Sequence, residues 1–476
     1  MMSEGTNSEL KRSLHNRHIQ MIALGGVIGT GLFYGSTEAI QLAGPATTLA
    51  YALGGLVIYF IMRMLGEMLV EEPVSGAFSF FAYKYWGGFA GFMAGWNYWF
   101  LYILASMAQL TVIGLYLDYW VQIDHGVSAF VILICVTLLN LVNVRLYGEF
   151  EFGLALVKVL AVIGMMIFGI FLIVTGIGGE RVGFSNLWEH GGFFPNGLVG
   201  MFLAACVLMF SFCGTELVGV AAGETLNPQK TIPEVIRTVM WQVMFFYVGS
   251  IGIIMMIMPW DVIGTGESPF VSIFRSVGVP AAGHVVNFIV IMAAISVYNS
   301  GLYSNGRMLY SLATQGNAPR IFGKLNSDGV PCIAVLFSSS CTALIIVINS
   351  FLPDNSFARI LAITTAAAAI TWATIVIVHL KFRKAHKGKE GSFSYAFGLY
   401  PYANYFCLGF LSLLFCVLFA SGLRDGGLMT QLFDAIGVLL PSVEAYIPEH
   451  MSDMSLAVLV MPVWCLLMFV GYKLKR

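Results

Sequence analysis

The chain has 476 residues, of which 58% are hydrophobic and only 10% charged, against about 45–50% and about 25% in a soluble domain. Its 24 Lys and Arg balance 25 Asp and Glu, which leaves no basic field for nucleic acid. Soluble enzymes, secreted scaffolds, disordered chains and DNA binders are excluded together, and an all-α integral membrane protein with the lipid bilayer as its partner remains.

A spanning helix needs about 20 mostly apolar residues. Runs of that kind lie near 19–37, 45–65, 89–117, 127–144, 152–176, 198–219, 239–258, 285–303, 330–348, 360–380, 402–421 and 456–472. These predict about twelve transmembrane helices, an even number that puts both ends on one side. Alternating strands of about 10 residues, the mark of a barrel, are absent from the sequence. With the N-terminus placed inside, Lys158 falls within a span and Arg181, Arg275, Arg359 and Arg424 fall outside. The other 19 of the 24 basic residues are inside, as the positive-inside bias requires. Acidic residues gather on the other face, at Asp118, Asp124, Glu180, Glu189, Asp261, Glu267 and Asp354.

The first run is long and glycine-rich without a cleavage site, so it is expected to be the first span and not a signal peptide. The eight cysteines sit in or beside apolar runs and read as small buried hydrophobes. No spacing resembles a metal site, and His15 and His18 are expected in a solvated basic arm. The outer connection 423–454 is long, and its stretch 428–440 is apolar enough to lie against the membrane surface or to serve as an ordinary connection.

Ionisable and helix-breaking residues inside spans mark candidate sites. The first span holds Gly25-Gly-Val-Ile-Gly29-Thr30-Gly31-Leu-Phe-Tyr-Gly35. Each glycine costs a helix roughly 1 kcal/mol relative to alanine, so this is either a close packing face or a broken helix whose free N–H groups hold an anion such as a carboxylate. The sixth span repeats the device at Phe210-Ser-Phe-Cys213-Gly214-Thr215-Glu216. Paired interruptions five spans apart point to a midplane binding site between two inverted repeats. Lys158, seven residues into the fifth span, either snorkels to the surface or sets its ammonium against the broken first helix. Ser106 and Gln109 share a face of the third span, and Ser296-Val-Tyr298-Asn299-Ser300 makes the eighth polar; both faces either line a pocket or bond another helix. Trp96 and Trp99 are alternatively members of an interfacial belt.

Leu14-His-Asn-Arg-His-Ile19, the glycine-rich segment 23–35, Arg63-Met-Leu-Gly-Glu67 and Glu71-Glu-Pro73-Val-Ser-Gly76 resemble the bacterial amino acid permease family. So do Ala82-Tyr-Lys-Tyr-Trp86, Gly95-Trp-Asn-Tyr-Trp99, Tyr298-Asn-Ser300 and Gln315-Gly-Asn-Ala-Pro319. This family belongs to the amino acid–polyamine–organocation superfamily, and the chain is most similar to its aromatic amino acid and phenylalanine permeases. The resemblance implies a five-plus-five inverted repeat with helices 1 and 6 broken and two further helices. Its layout is an N-terminal arm at 1–18, a transport core at 19–380 with repeats at about 19–176 and 198–380, a basic loop at 381–401, and a final pair at 402–476.

The resemblance also assigns roles. Ile28, Gly29, Thr30 and Gly31 match the substrate carboxylate site, and Phe210 and Cys213 match carbonyls that receive the α-amino group, with Phe210 also a gate. Glu216 matches an acid of proton-sensitive gating, and Lys158 a lysine standing where sodium-coupled cousins hold a cation. Ser106 and Gln109 match substrate-facing positions, and Asn299 is counted with them as a candidate. Aromatic-type permeases carry an acid where this chain has Gln109, which removes a titratable group from that wall. The tenth span reads Thr364-Thr-Ala-Ala-Ala-Ala-Ile-Thr371-Trp372, smaller than in those relatives, and the connection 423–454 is longer.

The expected function is a secondary transporter importing a neutral, large or aromatic L-amino acid, with protons as coupling ion and no other cofactor or metal. The alternatives are an amino acid exchanger and a transporter-like membrane sensor. No nucleophile–base pair supports a membrane enzyme, and the sequence does not fix an oligomeric state.

Overall fold

The computed structural model describes residues 14–33, 35–74, 76–176, 182–263, 281–349, 356–388, 393–423 and 455–474. The connection 423–454 with its stretch 428–440, and Glu180, Arg181, Glu267, Arg275, Asp354 and Arg424, lie almost wholly outside them. Helices account for nearly all of what is described. The one β-type pairing among the described residues is an isolated bridge between Leu14 and Thr225.

The first apolar run is three helices: α1 (Asn16–Val27), α2 (Thr30–Phe33) and α3 (Ser36–Ala43). Gly44 at φ 57° and Pro45 then turn the chain into α4 (Thr47–Glu71). A short helix, α5 (Ala77–Tyr85), precedes the 30-residue α6 (Gly88–Leu117). Asp124 caps α7 (His125–Val142) by accepting from the Val127 amide, and Asn143 caps α8 (Val144–Thr175) by accepting from the Leu146 amide. The second half opens with α9 (Gly197–Leu208), broken from α10 (Leu217–Ala221), and α11 (Pro228–Gln242), which reaches α12 (Ser250–Ile257) through a π-helical stretch. It closes with α13 (Ala281–Thr314), α14 (Cys332–Asn349), α15 (Ser356–Ala385), α16 (Tyr402–Leu423) and α17 (Ser455–Leu474).

Among the described residues eight helical stretches are long and apolar enough to cross a membrane, and Cys332–Leu344, Tyr402–Val417 and Val463–Lys473 are shorter apolar helices. Together with the broken first segment they take up all twelve runs read from the sequence. Several helices outrun those limits: α11 begins 11 residues before the run at 239, and α13 continues 11 beyond the one ending at 303. Their polar ends pack on neighbouring helices, which an apolar-run reading truncates. The nine-residue α5 is too short to register as a run at all.

Long α6 and α13 pack along each other at the centre, with α15 against α6 and α1 against α8. Peripheral helices turn large apolar residues outward, as at Val174 (79% exposed) and Ile167 (63%) of α8. Hydrocarbon is their solvent, so this exposure costs nothing there. The cysteines are unpaired among the described residues, and Cys135 and Cys416 are exposed and not buried; a small apolar side chain faces lipid as comfortably as it faces core.

Candidate functional site

The two interruptions meet. Within the first segment α1 stops at Val27, and α2 restarts at Thr30 after Ile28 and Gly29. The Ile28 amide still bonds to the Leu24 carbonyl at 3.0 Å. Among the described residues no backbone carbonyl accepts from Gly29, Thr30 or Gly31, the first-turn amides that a helix leaves free. In the sixth segment a 3-10 turn at Met209–Phe212 leads into extended Cys213 and then Gly214 at φ 110°. A side chain at either glycine would strike the facing backbone: a Cβ on Gly26 would lie 3.0 Å from the Gly214 carbonyl oxygen, and one on Gly31 2.7 Å from Ser211 Cα. Glycine is therefore what allows the two breaks to touch.

The carbonyls on the sixth-segment side are partly engaged. Phe210 accepts from the Cys213 amide at 3.0 Å, Ser211 from the Tyr247 hydroxyl at 2.9 Å, and Phe212 from Thr215. No backbone donor among the described residues reaches the Cys213 carbonyl. Phe210 is half-buried beside this turn and Cys213 is likewise intermediate. Free amides of 29–31 on one break and a free carbonyl at 213 on the other make a neutral pair of opposite dipoles. That is the complement of a zwitterion.

Glu216 closes the sixth-segment break from within the protein. Its carboxylate accepts from the Tyr102 hydroxyl (3.2 Å), the Trp372 indole (3.4 Å), the Gly214 amide (3.3 Å) and Thr215 Oγ1 (3.4 Å), and it is fully buried. These donors come from α6, α15 and its own loop, so one side chain ties the broken segment to two of the central helices.

Lys158 is also fully buried and does not reach a surface. Its Nζ donates to the Gly25 carbonyl at 2.5 Å and to Ser296 Oγ at 2.8 Å. Gly25 lies in the last turn of α1, where unsatisfied carbonyls and the helix dipole favour a cation. Ser296 Oγ donates in turn to Glu151, whose second oxygen accepts from Asn299 Nδ2 at 2.9 Å.

Not every candidate faces the breaks. Asn299 is spent between Glu151 and Asn140, whose Nδ2 donates to it at 2.9 Å. Ser106 donates to the Tyr102 carbonyl at 2.6 Å and stands against Gly301 of α13. Gln109 is buried with its Oε1 unpartnered among the described residues. Trp96 bonds Asn317 O in the loop after α13 and Trp99 bonds Ser338 Oγ of α14, so both point into the bundle and are not a surface belt. His18 is buried, not solvated, and contacts Glu149 at 3.2 Å; the described residues hold no cluster of three metal-type ligands.

Three buried charge clusters escaped the sequence reading. Glu151 begins one residue before the apolar run that defined the fifth span, although its i, i+7 spacing from Lys158 places both on one helix face. Glu224 pairs with Arg307 (3.4 Å) and with the Tyr303 hydroxyl, under the stacked rings of Tyr147 and Tyr303. Glu67 pairs with Arg383 and accepts from the Phe397 amide at 2.7 Å, with His379 at 3.4 Å. On the same face Leu14 exchanges backbone bonds with Glu224 and Leu226, and Arg17 pairs with Glu149. That face of the bundle is closed.

Comparison with known proteins gives the family. The amino acid permease family matches residues 18–475. The chain belongs to that family. It is 43% identical over 478 residues to the aromatic amino acid transport protein AroP of Escherichia coli (strain K12), covering 100% of this chain and 98% of that one. It is 41% identical over 477 residues to AroP of Salmonella typhimurium (strain LT2), with the same coverage. An amino acid permease of Bacillus subtilis (strain 168), YtnA, is 41% identical over 468 residues, covering 98% and 95%. The permease is thus a multi-pass helical membrane protein and a transporter of amino acids, not an enzyme.

Proposed function

We propose that this permease imports a neutral, large or aromatic L-amino acid together with protons, across the bacterial plasma membrane with both termini cytoplasmic. The observation that supports it is the meeting of two broken segments, with the free amides of Gly29, Thr30 and Gly31 opposite the free carbonyl of Cys213. An α-carboxylate would dock on the first and an α-ammonium on the second. The side chain would then extend toward Phe210, Gln109 and the small-residue face of α15. The AroP relatives are named for aromatic amino acids, which supports a large ring in that space. Gln109, with an unpartnered oxygen, offers it a neutral polar contact.

Protons are favoured over sodium because the Lys158 ammonium occupies the end of α1, where a second cation would meet like-charge repulsion. Alternating access would rock the first, second, sixth and seventh segments against the rest, breaking the closed face at Leu14, Arg17 and Glu224. Uptake into proteoliposomes tests the reading: accumulation should follow an imposed pH gradient and ignore sodium. Accumulation that follows sodium alone overturns it, and counterflow that requires internal substrate with no response to pH would make the protein an exchanger. A thermal-shift screen against the twenty amino acids identifies the substrate, because a ligand stabilises the folded state by mass action.

A further inference from the structure

Glu151 has no place in the transport scheme above, yet it is a fully buried acid at the heart of the bundle. It sits on α8 two turns before Lys158, on the same face, roughly 10 Å nearer the end where the N-terminal segment lies. The two ionisable groups are joined by one hydroxyl: Lys158 Nζ donates to Ser296 Oγ at 2.8 Å, and Ser296 Oγ donates to Glu151 Oε1. The other carboxylate oxygen is held by Asn299 Nδ2 at 2.9 Å, and Asn299 by Asn140 at 2.9 Å. Gly25 closes the remaining side, since a Cβ there would lie 2.6 Å from Glu151 Oε1. Each atom of the chain therefore has a fixed partner, which suits passage of a proton better than a pair of mobile charges.

We propose that Lys158, Ser296 and Glu151 form a proton relay, with Glu151 the acceptor that draws the proton off Lys158 toward the closed face. This rests on the proton-coupled reading above. In the step, one N–H bond of the Lys158 ammonium breaks as its proton passes to Ser296 Oγ, and the hydroxyl proton of Ser296 passes to Glu151 Oε1. The products are a neutral amine, an unchanged hydroxyl and a neutral carboxyl, so one proton is displaced, the total charge of the three groups stays zero and no other reactant is needed. A neutral amine holds the Gly25 carbonyl far less strongly than an ammonium does. The transfer thereby loosens α1 from α8 at the break where the substrate carboxylate would dock.

The groups facing Glu151 support a single direction. On its own helix they are Lys158 above and Tyr147 one turn below, whose hydroxyl donates to Ser300 Oγ at 3.3 Å. Among the described residues, Ser296, Asn299 and Ser300 come from α13 and the Gly25 backbone from α1, none of them ionisable. Beyond Tyr147 lie Tyr303, stacked on its ring and bonded to Glu224 of the Glu224–Arg307 pair, and His18 with partly exposed Glu149. Polar groups therefore continue from Glu151 to the closed face.

The test compares Glu151→Gln, Ser296→Ala and Ser296→Thr with the wild type in proteoliposomes, after thermal shift and gel filtration have checked folding. The readout is accumulation driven by a pH gradient divided by counterflow exchange of the same preparation, so that a general loss of activity cancels. Glu151→Gln and Ser296→Ala should lower this ratio at least tenfold, and Ser296→Thr, which keeps the hydroxyl, should restore it. A wild type that follows the gradient beside variants that follow it equally overturns the relay alone. A Ser296→Thr loss as large as that of Ser296→Ala means packing and overturns it too. A wild type that ignores the gradient overturns the coupling reading, and the relay with it. If Glu151→Gln does not fold, the two Ser296 variants decide the outcome.

Discussion

Gly214→Ala is the sharpest perturbation of the site. At φ 110° an L side chain is strained by about 1–3 kcal/mol. The new Cβ would also lie 2.5 Å from the Gly26 carbonyl oxygen and 2.8 Å from its carbon. An ordinary carbon–oxygen contact begins near 3.3 Å, so the two breaks must part by about 0.8 Å. That exceeds the roughly 0.5 Å within which a binding constellation keeps its geometry. The obstacle is backbone on both sides and cannot be relieved by rotating a side chain. Gly214→Ala should therefore lower thermal stability and weaken stabilisation by substrate at least tenfold in apparent affinity. Gly153→Ala is the internal control, because nothing lies within 4 Å of its would-be Cβ and a helical Gly→Ala change is worth about 0.5–1 kcal/mol of added stability. Thermal shift with and without substrate, followed by uptake, reads both variants. Wild-type melting and uptake in Gly214→Ala would show that the breaks need not touch, and would refute the reasoning.

Glu216→Gln fixes the neutral form of an acid that accepts four hydrogen bonds, so uptake should lose its rise and fall with pH while binding at low pH changes little; an unaltered pH profile removes Glu216 from the mechanism. Lys158→Met leaves Glu151 buried without its counter-charge, a loss of about 3–5 kcal/mol, and should slow transport; adding Glu151→Gln should recover part of the stability, and a single variant as stable as wild type would deny the pairing. Arg307→Met strands Glu224 in the same way, again at about 3–5 kcal/mol, and should raise protease cleavage in the segment 14–33 as Leu14 loses its partners; unchanged cleavage would separate the arm from that ion pair. Outside the spans, burial alone would raise the Glu72 carboxyl, but Lys84 and Tyr85 hydrogen bonds hold it below the usual range. Its stabilising effect is present above the ordinary carboxylate pKa and fades as pH falls through the lowered value, so Lys84→Met should matter at neutral pH and not in strong acid; a difference in melting that persists in acid would reject the assignment.

Composition alone was enough to select the solvent: a chain so apolar and so poor in charge folds against hydrocarbon, and only helices satisfy its backbone there. The glycine runs at Gly25–Gly35 and around Gly214 were legible as well, because a helix cannot hide that density of glycine. Local sequence could not say that the two runs face each other, nor that Lys158 points inward, since snorkelling and burial use the same residue at the same depth. It also passed over Glu151, Glu224 and Glu67, each near the end of an apolar run where an acid reads as a surface residue. Tertiary packing decides those cases. Arg307 and Tyr303 arrive at Glu224 from a helix some eighty residues later, Arg383 reaches Glu67 from more than three hundred, and Ser296 bridges Lys158 to Glu151 from about 140 residues away. Burial of a charge is a property of what surrounds it, and what surrounds these charges is set by helix packing rather than by their neighbours in the chain.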